Sequence, residues 1–230
     1  MHATSDTADG AARAAASRAG LAGMSLWLRC LFDLALALAS GATAWPLRRV
    51  SSRALAGLTV LTVLALAAGA ALALPLYPWT NLLVLAFAAF GGVLFGRALP
   101  ARARPVFIAL LLLSVGDLAL NGMPSPLPPV SAPRPPLPTP LLYGNIVVLW
   151  PRGDRYMLGG LDLLLCAALT EHCRRRGGPP AVALLPGPLA MVLAAVFVLA
   201  SRRGGLALVP FLLLGWLVSE ALARLSGARR

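Results

Sequence analysis

The sequence predicts an all-α, polytopic transmembrane helix bundle of about seven spans, with a Pro-rich loop and a short re-entrant or strand segment. Three observations predict it. Of 230 residues, 59% are hydrophobic and 12% are charged, about half the charge of a soluble domain, which carries ~25%. The mean hydropathy is +0.80. The apolar residues gather in stretches near the ~20 residues needed to cross a hydrocarbon core about 30 Å thick, and short Arg-bearing runs separate them. A disordered chain, a coiled coil and an ordinary cytosolic globule are excluded.

Residues 1–24 are Ala-rich and interrupted by Arg13 and Arg18. Without an apolar region ahead of a cleavage site they form a flexible tail rather than a signal peptide. The transmembrane domain occupies 25–230, and its first helices (25–122) are expected at 25–46, 54–75, 81–99 and 105–122. The first of these contains Arg29 and Asp33, whose i,i+4 spacing lets them neutralise one another on one helix face. Residues 123–155 form a Pro-rich connector. Half of 123–140, MPSPLPPVSAPRPPLPTP, is Pro, which cannot continue a helix and pre-sets an extended, semi-rigid path. The stretch 141–150, LLYGNIVVLW, is too short to cross. It is expected to be re-entrant or interfacial, or a strand on account of Ile146, Val147 and Val148. The C-terminal helices (156–230) are expected at 156–172, 182–200 and 205–223.

The net charge of +12 comes from 20 basic residues, all of them Arg. They cluster between spans, as topology determinants do, and no basic groove with interleaved aromatics appears, so nucleic acid is not the partner. Arg48, Arg49, Arg53, Arg97, Arg102, Arg104, Arg174, Arg175, Arg176, Arg224, Arg229 and Arg230 fall on one side. Arg13, Arg18, Arg29, Arg134, Arg152, Arg155, Arg202 and Arg203 fall on the other. The larger group marks the cytoplasmic side, which puts the N-terminus outside and the C-terminus in the cytoplasm. Arg in the absence of Lys suggests a GC-rich bacterial genome, and hence the bacterial inner membrane.

No cofactor or metal is expected. Cys30, Cys166 and Cys173 have no framework spacing and are expected as small buried apolar residues. Glu171-His172-Cys173 resembles a metal cluster only on paper, because three adjacent helical residues point in different directions. The PxxP repeats of 123–140 form a spacer, since an exoplasmic loop meets no SH3-type groove.

Acidic residues inside spans are costly and mark function. Glu171 and Glu220 lie near span ends beside Arg174 and Arg224 and are expected as interfacial charges. Asp117 and Asp162 have no basic neighbour at their depth. On the expected boundaries both sit roughly 8–9 Å below the same surface on successive antiparallel helices. Two facing carboxylates in a low-dielectric site share one proton. One can then act as general base for water while the other donates to a carbonyl oxygen. The bare spacing suits equally a proton- or cation-coupled transporter, or a scaffold whose acids pair helices.

The local sequences carry a resemblance. Tyr156-Met157-Leu158-Gly159-Gly160-Leu161-Asp162 contains a Gly-rich approach to Asp162. Leu113-Ser114-Val115-Gly116-Asp117 surrounds the other acid, and Arg202-Arg203-Gly204-Gly205-Leu206-Ala207-Leu208-Val209-Pro210-Phe211-Leu212 precedes the last span. In order and spacing these resemble the motifs of the presenilin and signal-peptide-peptidase family of intramembrane aspartyl proteases: an Asp after Tyr, Gly-x-Gly-Asp, and Pro-Ala-Leu. Here Gly116 stands for the Tyr, Leu161 for the Gly before Asp162, and Phe211 for the Ala. The resemblance covers residues 105–225 and implies an Asp117/Asp162 catalytic dyad. It implies a substrate-binding set of Gly159, Pro210, Phe211 and Leu212, and a membrane-embedded helical peptide, type II-oriented, as substrate. Prepilin peptidases, the other di-aspartate membrane family, fit less well, because the chain has no Lys and no CxxC pair.

Overall fold

Each of the seven stretches expected to span carries a helix among the described residues. In the computed structural model, residues 27–72, 78–121, 125–126, 144–149, 155–201, 203–204 and 207–226 are described. The tail at 1–24 and most of the Pro-rich stretch at 123–140 lie outside them. Helix α1 runs Trp27–Leu47, with a break at Thr43. Helix α2 is Ser52–Ala71, opened by the Ser51 hydroxyl accepting the Ala54 N–H at 3.2 Å, the ordinary N-cap bond. Helices α3 (Trp79–Ala98) and α4 (Ala103–Asn121) follow, then strands β1 (Ser125–Pro126), β2 (Asn145–Leu149) and β3 (Arg155–Gly159). The chain continues through α5 (Gly160–Arg175), α6 (Pro180–Leu184), α7 (Pro186–Ser201), β4 (Arg203–Gly204) and α8 (Val209–Leu225).

Three of the helices, α1, α2 and α3, are long and apolar enough to cross a membrane, and α7 is a shorter apolar helix. Two differences from the expected helices have a clear local cause. The single helix expected at 182–200 is two, separated at Leu185, because Pro186 lacks the N–H that would continue the ladder. The helix expected from 156 begins at Gly160, because 155–159 pairs with β2 as an antiparallel hairpin, Asn145 opposite Gly159 and Leu149 opposite Arg155. The strand alternative for 141–150 is therefore the one found over 145–149. A second, two-residue ribbon joins Ser125 to Gly204 and Pro126 to Arg203, tying the start of the Pro-rich connector to the segment before α8.

The least apolar long helix, α5, is the central one: its residues are buried without interruption from Cys166 to Cys173. It packs most extensively on α3, while α8 packs on α7 and α4, and α2 packs on α3. The α3–α5 contact rests on glycine. A β-carbon at Gly92 would stand 2.6 Å from the Leu164 carbonyl oxygen, and one at Gly96 would meet the Ala168 carbonyl oxygen and stand 2.8 Å from Glu171 Cβ. Gly92-x-x-x-Gly96 is the small-residue spacing that lets membrane helices approach backbone to backbone. Around this centre lies the larger of two apolar clusters, including Val84, Val106, Leu163, Leu169, Leu212 and Trp216.

The outward surface is the reverse of a soluble protein's. Of α2, the buried positions are Leu55, Thr62 and Gly69, while Val60, Leu61 and Leu64 are 57–63% exposed. Leu112 on α4 and Val196 on α7 are likewise exposed, as are Trp27 and Trp79 at the starts of α1 and α3. Small and polar residues inward, branched aliphatics outward and Trp at helix ends are the pattern of a lipid-facing bundle.

The described charges divide between the two ends. At one end Arg97 donates to the carbonyls of Leu47 (2.8 Å) and Val50 (2.6 Å) in the α1–α2 turn, and lies 3.5 Å from Glu171. Arg175 donates to the carbonyl of Arg97. Arg174 holds the fully buried Glu171 at 2.7 and 2.9 Å, and Arg176 holds Glu220 at 2.5 Å. Glu171 thus has the expected neighbour, while Glu220 bonds Arg176 on α5's C-terminal turn. Arg224, one turn further along α8, is the neighbour the sequence suggested.

Candidate active site

Asp33, Asp117 and Asp162 lie away from that basic end. Asp117 is four residues from the end of α4. Its carboxylate accepts the backbone N–H of Val209 at 3.0 Å. Val209 is the first residue of α8, whose preceding residue, Leu208, offers no side-chain cap. The cap of α8 is therefore supplied from another helix, which fixes Asp117 beside the Val209-Pro210-Phe211-Leu212 turn. Pro210 occupies the second position of α8, where its missing N–H leaves no intrahelical bond unmade.

Asp162 is in the first turn of α5. That corrects the expected depth of some six residues below the surface, because the preceding residues are strand. Its carboxylate folds back over Gly159: a β-carbon there would stand 2.5 Å from Oδ2 and 3.9 Å from the side-chain oxygen of Asn145. Gly159 thus makes room for the carboxylate itself. Gly160 lies equally close to its surroundings, 2.9 Å from the Gly144 carbonyl oxygen by the same measure, which seats the hairpin against the helix start. Gly159→Ala is expected to rotate the Asp162 carboxylate off its position with little loss of stability, since only a side-chain end must yield. Thermal unfolding in detergent should stay within a few degrees of the parent. Any activity that depends on Asp162 should fall by about tenfold or more, as misplacement of a reacting group does.

The two helices do not pack face to face as the succession in sequence suggested. The main partner of α4 is α8, and that of α5 is α3. The Asp162 carboxyl is governed first by its burial, and after that by the charges of Asp117 and Asp33. Among the other expected site residues, Phe211 stacks edge-on with Phe197 at 5.9 Å between ring centroids. Leu212 is 0% exposed and belongs to the core.

Sequence reasoning assigned Asp33 to a local pair with Arg29 and so passed over it. The signal was its stripe. Asp33, Ala37 and Gly41 recur at four-residue spacing on α1, the mark of a close helix contact. Ala37 is wholly buried, and a β-carbon at Gly41 would stand 2.8 Å from the Thr170 hydroxyl on α5. One residue before it, Ser40 donates to the Leu163 carbonyl at 2.7 Å. Asp33 lies two turns before that contact on the same helix, and its charge is among those that act on Asp162. Asn145 was also missed, since the strand carrying it was read only for its apolar residues.

Glu171, His172 and Cys173 turn to different partners, as their adjacency requires. Glu171 faces the arginines, His172 has its ring 6.4 Å from that of Trp216, and Cys173 lies 3.7 Å from the Ser219 hydroxyl. Among the described residues no three His, Cys, Asp or Glu side chains are arranged to hold a metal ion. Of the cysteines, Cys166 and Cys173 are buried and Cys30 is half-buried. No protein-family model, curated protein or solved structure matches the chain.

Proposed function

We propose that the protein is an intramembrane aspartyl protease that hydrolyses peptide bonds of single-span or signal-peptide-like helices with Asp117 and Asp162. The observation that carries this reading is the convergence of three segments far apart in sequence. Asp117 bonds the first N–H of the Pro210 turn while its charge acts on Asp162. In the proposed reaction one carboxylate takes a proton from water. The other, protonated, donates to the scissile carbonyl oxygen as the new C–O bond forms. The resulting gem-diol collapses with proton transfer to the leaving amide nitrogen, and the dyad returns to its starting charge.

A helical substrate shields its carbonyls and must unwind first. The hairpin of β2 and β3 runs directly into Asp162 and offers backbone groups for an added strand. In this reading the chain makes seven spans in the bacterial inner membrane, N-terminus outside and C-terminus cytoplasmic. The gathering of Arg48, Arg49, Arg53, Arg97, Arg174, Arg175 and Arg176 around the α1–α2 turn and the end of α5 supports that orientation.

The test is cleavage of a type II single-span reporter by the purified protein in liposomes, with a hydroxyl-bearing transition-state analogue of aspartic proteases as inhibitor. The expected result is two membrane fragments and their suppression by the analogue. Failure of both cleavage and analogue binding overturns the reading. The presence of Asp33 as a further acid acting on Asp162 favours one rival, a proton- or cation-coupled transporter in which the three carboxylates line a path. That rival predicts flux in proteoliposomes, lost in Asp33→Asn as well as in changes to Asp117 or Asp162.

A further inference from the structure

A groove at the basic end, between the start of α4 and the end of α8, combines two exposed arginines with aromatic and aliphatic walls. We propose that it binds the headgroup of an anionic phospholipid from the adjoining leaflet. The groove holds about 280 Å³ and is lined by Ala103, Arg104, Phe107, Trp216, Leu217, Glu220 and Arg224. The two helices run antiparallel, since the far end of α4 meets the start of α8 through Asp117 and Val209. Arg104 in the first turn of one helix and Arg224 in the last turn of the other therefore flank the same opening, and both are exposed.

Charge decides the ligand's sign. The acid in the lining, Glu220, is held by Arg176 at 2.5 Å, and Glu171 is held by Arg174 and Arg97. Arg102, just before α4, is exposed but is not among the residues that line the groove, so the two lining arginines set its charge. The walls decide the ligand's remainder. Phe107 and Leu217 are 36% and 39% exposed, and Ile108, Leu111 and Leu214 continue the apolar surface along the same two helices. A free inorganic anion has no use for that surface, whereas a phospholipid places its phosphate between the arginines and its chains along the helices. Basic pockets between helices at the membrane surface select such headgroups at a gain of roughly fivefold per arginine.

The experiment uses the full-length protein in nanodiscs containing phosphatidylglycerol or phosphatidylcholine with brominated chains, and follows quenching of tryptophan fluorescence. Phosphatidylglycerol should reach half its quenching at a mole fraction about 25-fold below that for phosphatidylcholine, a factor of roughly five for each arginine. Trp216→Phe should remove the lipid-selective part of the signal. Arg104→Gln and Arg224→Gln should each cost about fivefold, and the double variant should bind the two lipids alike. The wild-type comparison needs no variant to fold. Equal quenching by both lipids overturns the proposal. So does selectivity surviving in the double variant, or glycerol phosphate competing as well as the lipid does.

Discussion

Asp162→Asn and Asp117→Asn are each expected to lower reporter cleavage by about 10²–10⁴-fold, the range for losing a positioned acid or base, without unfolding the protein. The physical grounds differ at the two sites. At Asp117 the Val209 N–H needs an oxygen to accept it, and the amide oxygen of Asn still offers one. The cap of α8 survives while the proton chemistry does not. Asp117→Ala removes both and should cost about a further 1 kcal/mol of stability, as loss of an N-cap does. At Asp162 the amide occupies the same space over Gly159 and cannot exchange a proton with Asp117. Cleavage rate, circular dichroism and unfolding temperature, measured together, check the prediction. A variant that folds and cleaves at the parental rate would remove that residue from the dyad.

The largest effect on stability is expected at the α3–α5 contact. Gly92→Leu or Gly96→Leu should each cost about 1–3 kcal/mol or more, the usual toll of overpacking, and the double variant should fail to accumulate in the membrane. Even the first carbon of the new side chain meets backbone. The Leu164 carbonyl lies 2.6 Å from its place at Gly92, and the Ala168 carbonyl is closer still at Gly96. Backbone cannot rotate away as a side chain can, so α5 must separate from α3, taking the Glu171 and Arg97 contacts with it. Gly57→Leu on α2 is the control, because no atom lies within 4 Å of a β-carbon there, and it should leave stability within about 1 kcal/mol of the parent. Thermal unfolding in detergent and membrane yield decide both.

The helices were legible because a lipid-facing bundle repeats one pattern, apolar runs punctuated by arginine, and length alone then marks the elements. Which helices touch was not legible. Hydrophobicity does not drive helix to helix in lipid, so the pairing is written in Gly92, Gly96, Ala37 and Gly41, residues that hydropathy treats as neutral. The same blindness hid the stripe of Ala37 and Gly41 on α1, whose Gly41 lies against Thr170 of α5. Tyr156 to Gly159 were taken for helix because their composition is that of a span. Only pairing with partners eight to fourteen residues upstream, beyond the reach of helical periodicity, makes them β.

The junction at Gly159 and Gly160 gives the hairpin a lever. Strand ends and helix begins with no residue between them, so sliding β3 along β2 by one place must either flip that strand's faces or wind one more residue into the helix. Each residue wound turns the helix by about 100° and would swing the Asp162 carboxylate off its place over Gly159. The position of the Asp162 carboxylate is in this way keyed to a ladder of backbone hydrogen bonds beside it. A chain that docks on the ladder and pulls it into or out of step would thereby set, or spoil, the aim of the carboxylate three residues beyond.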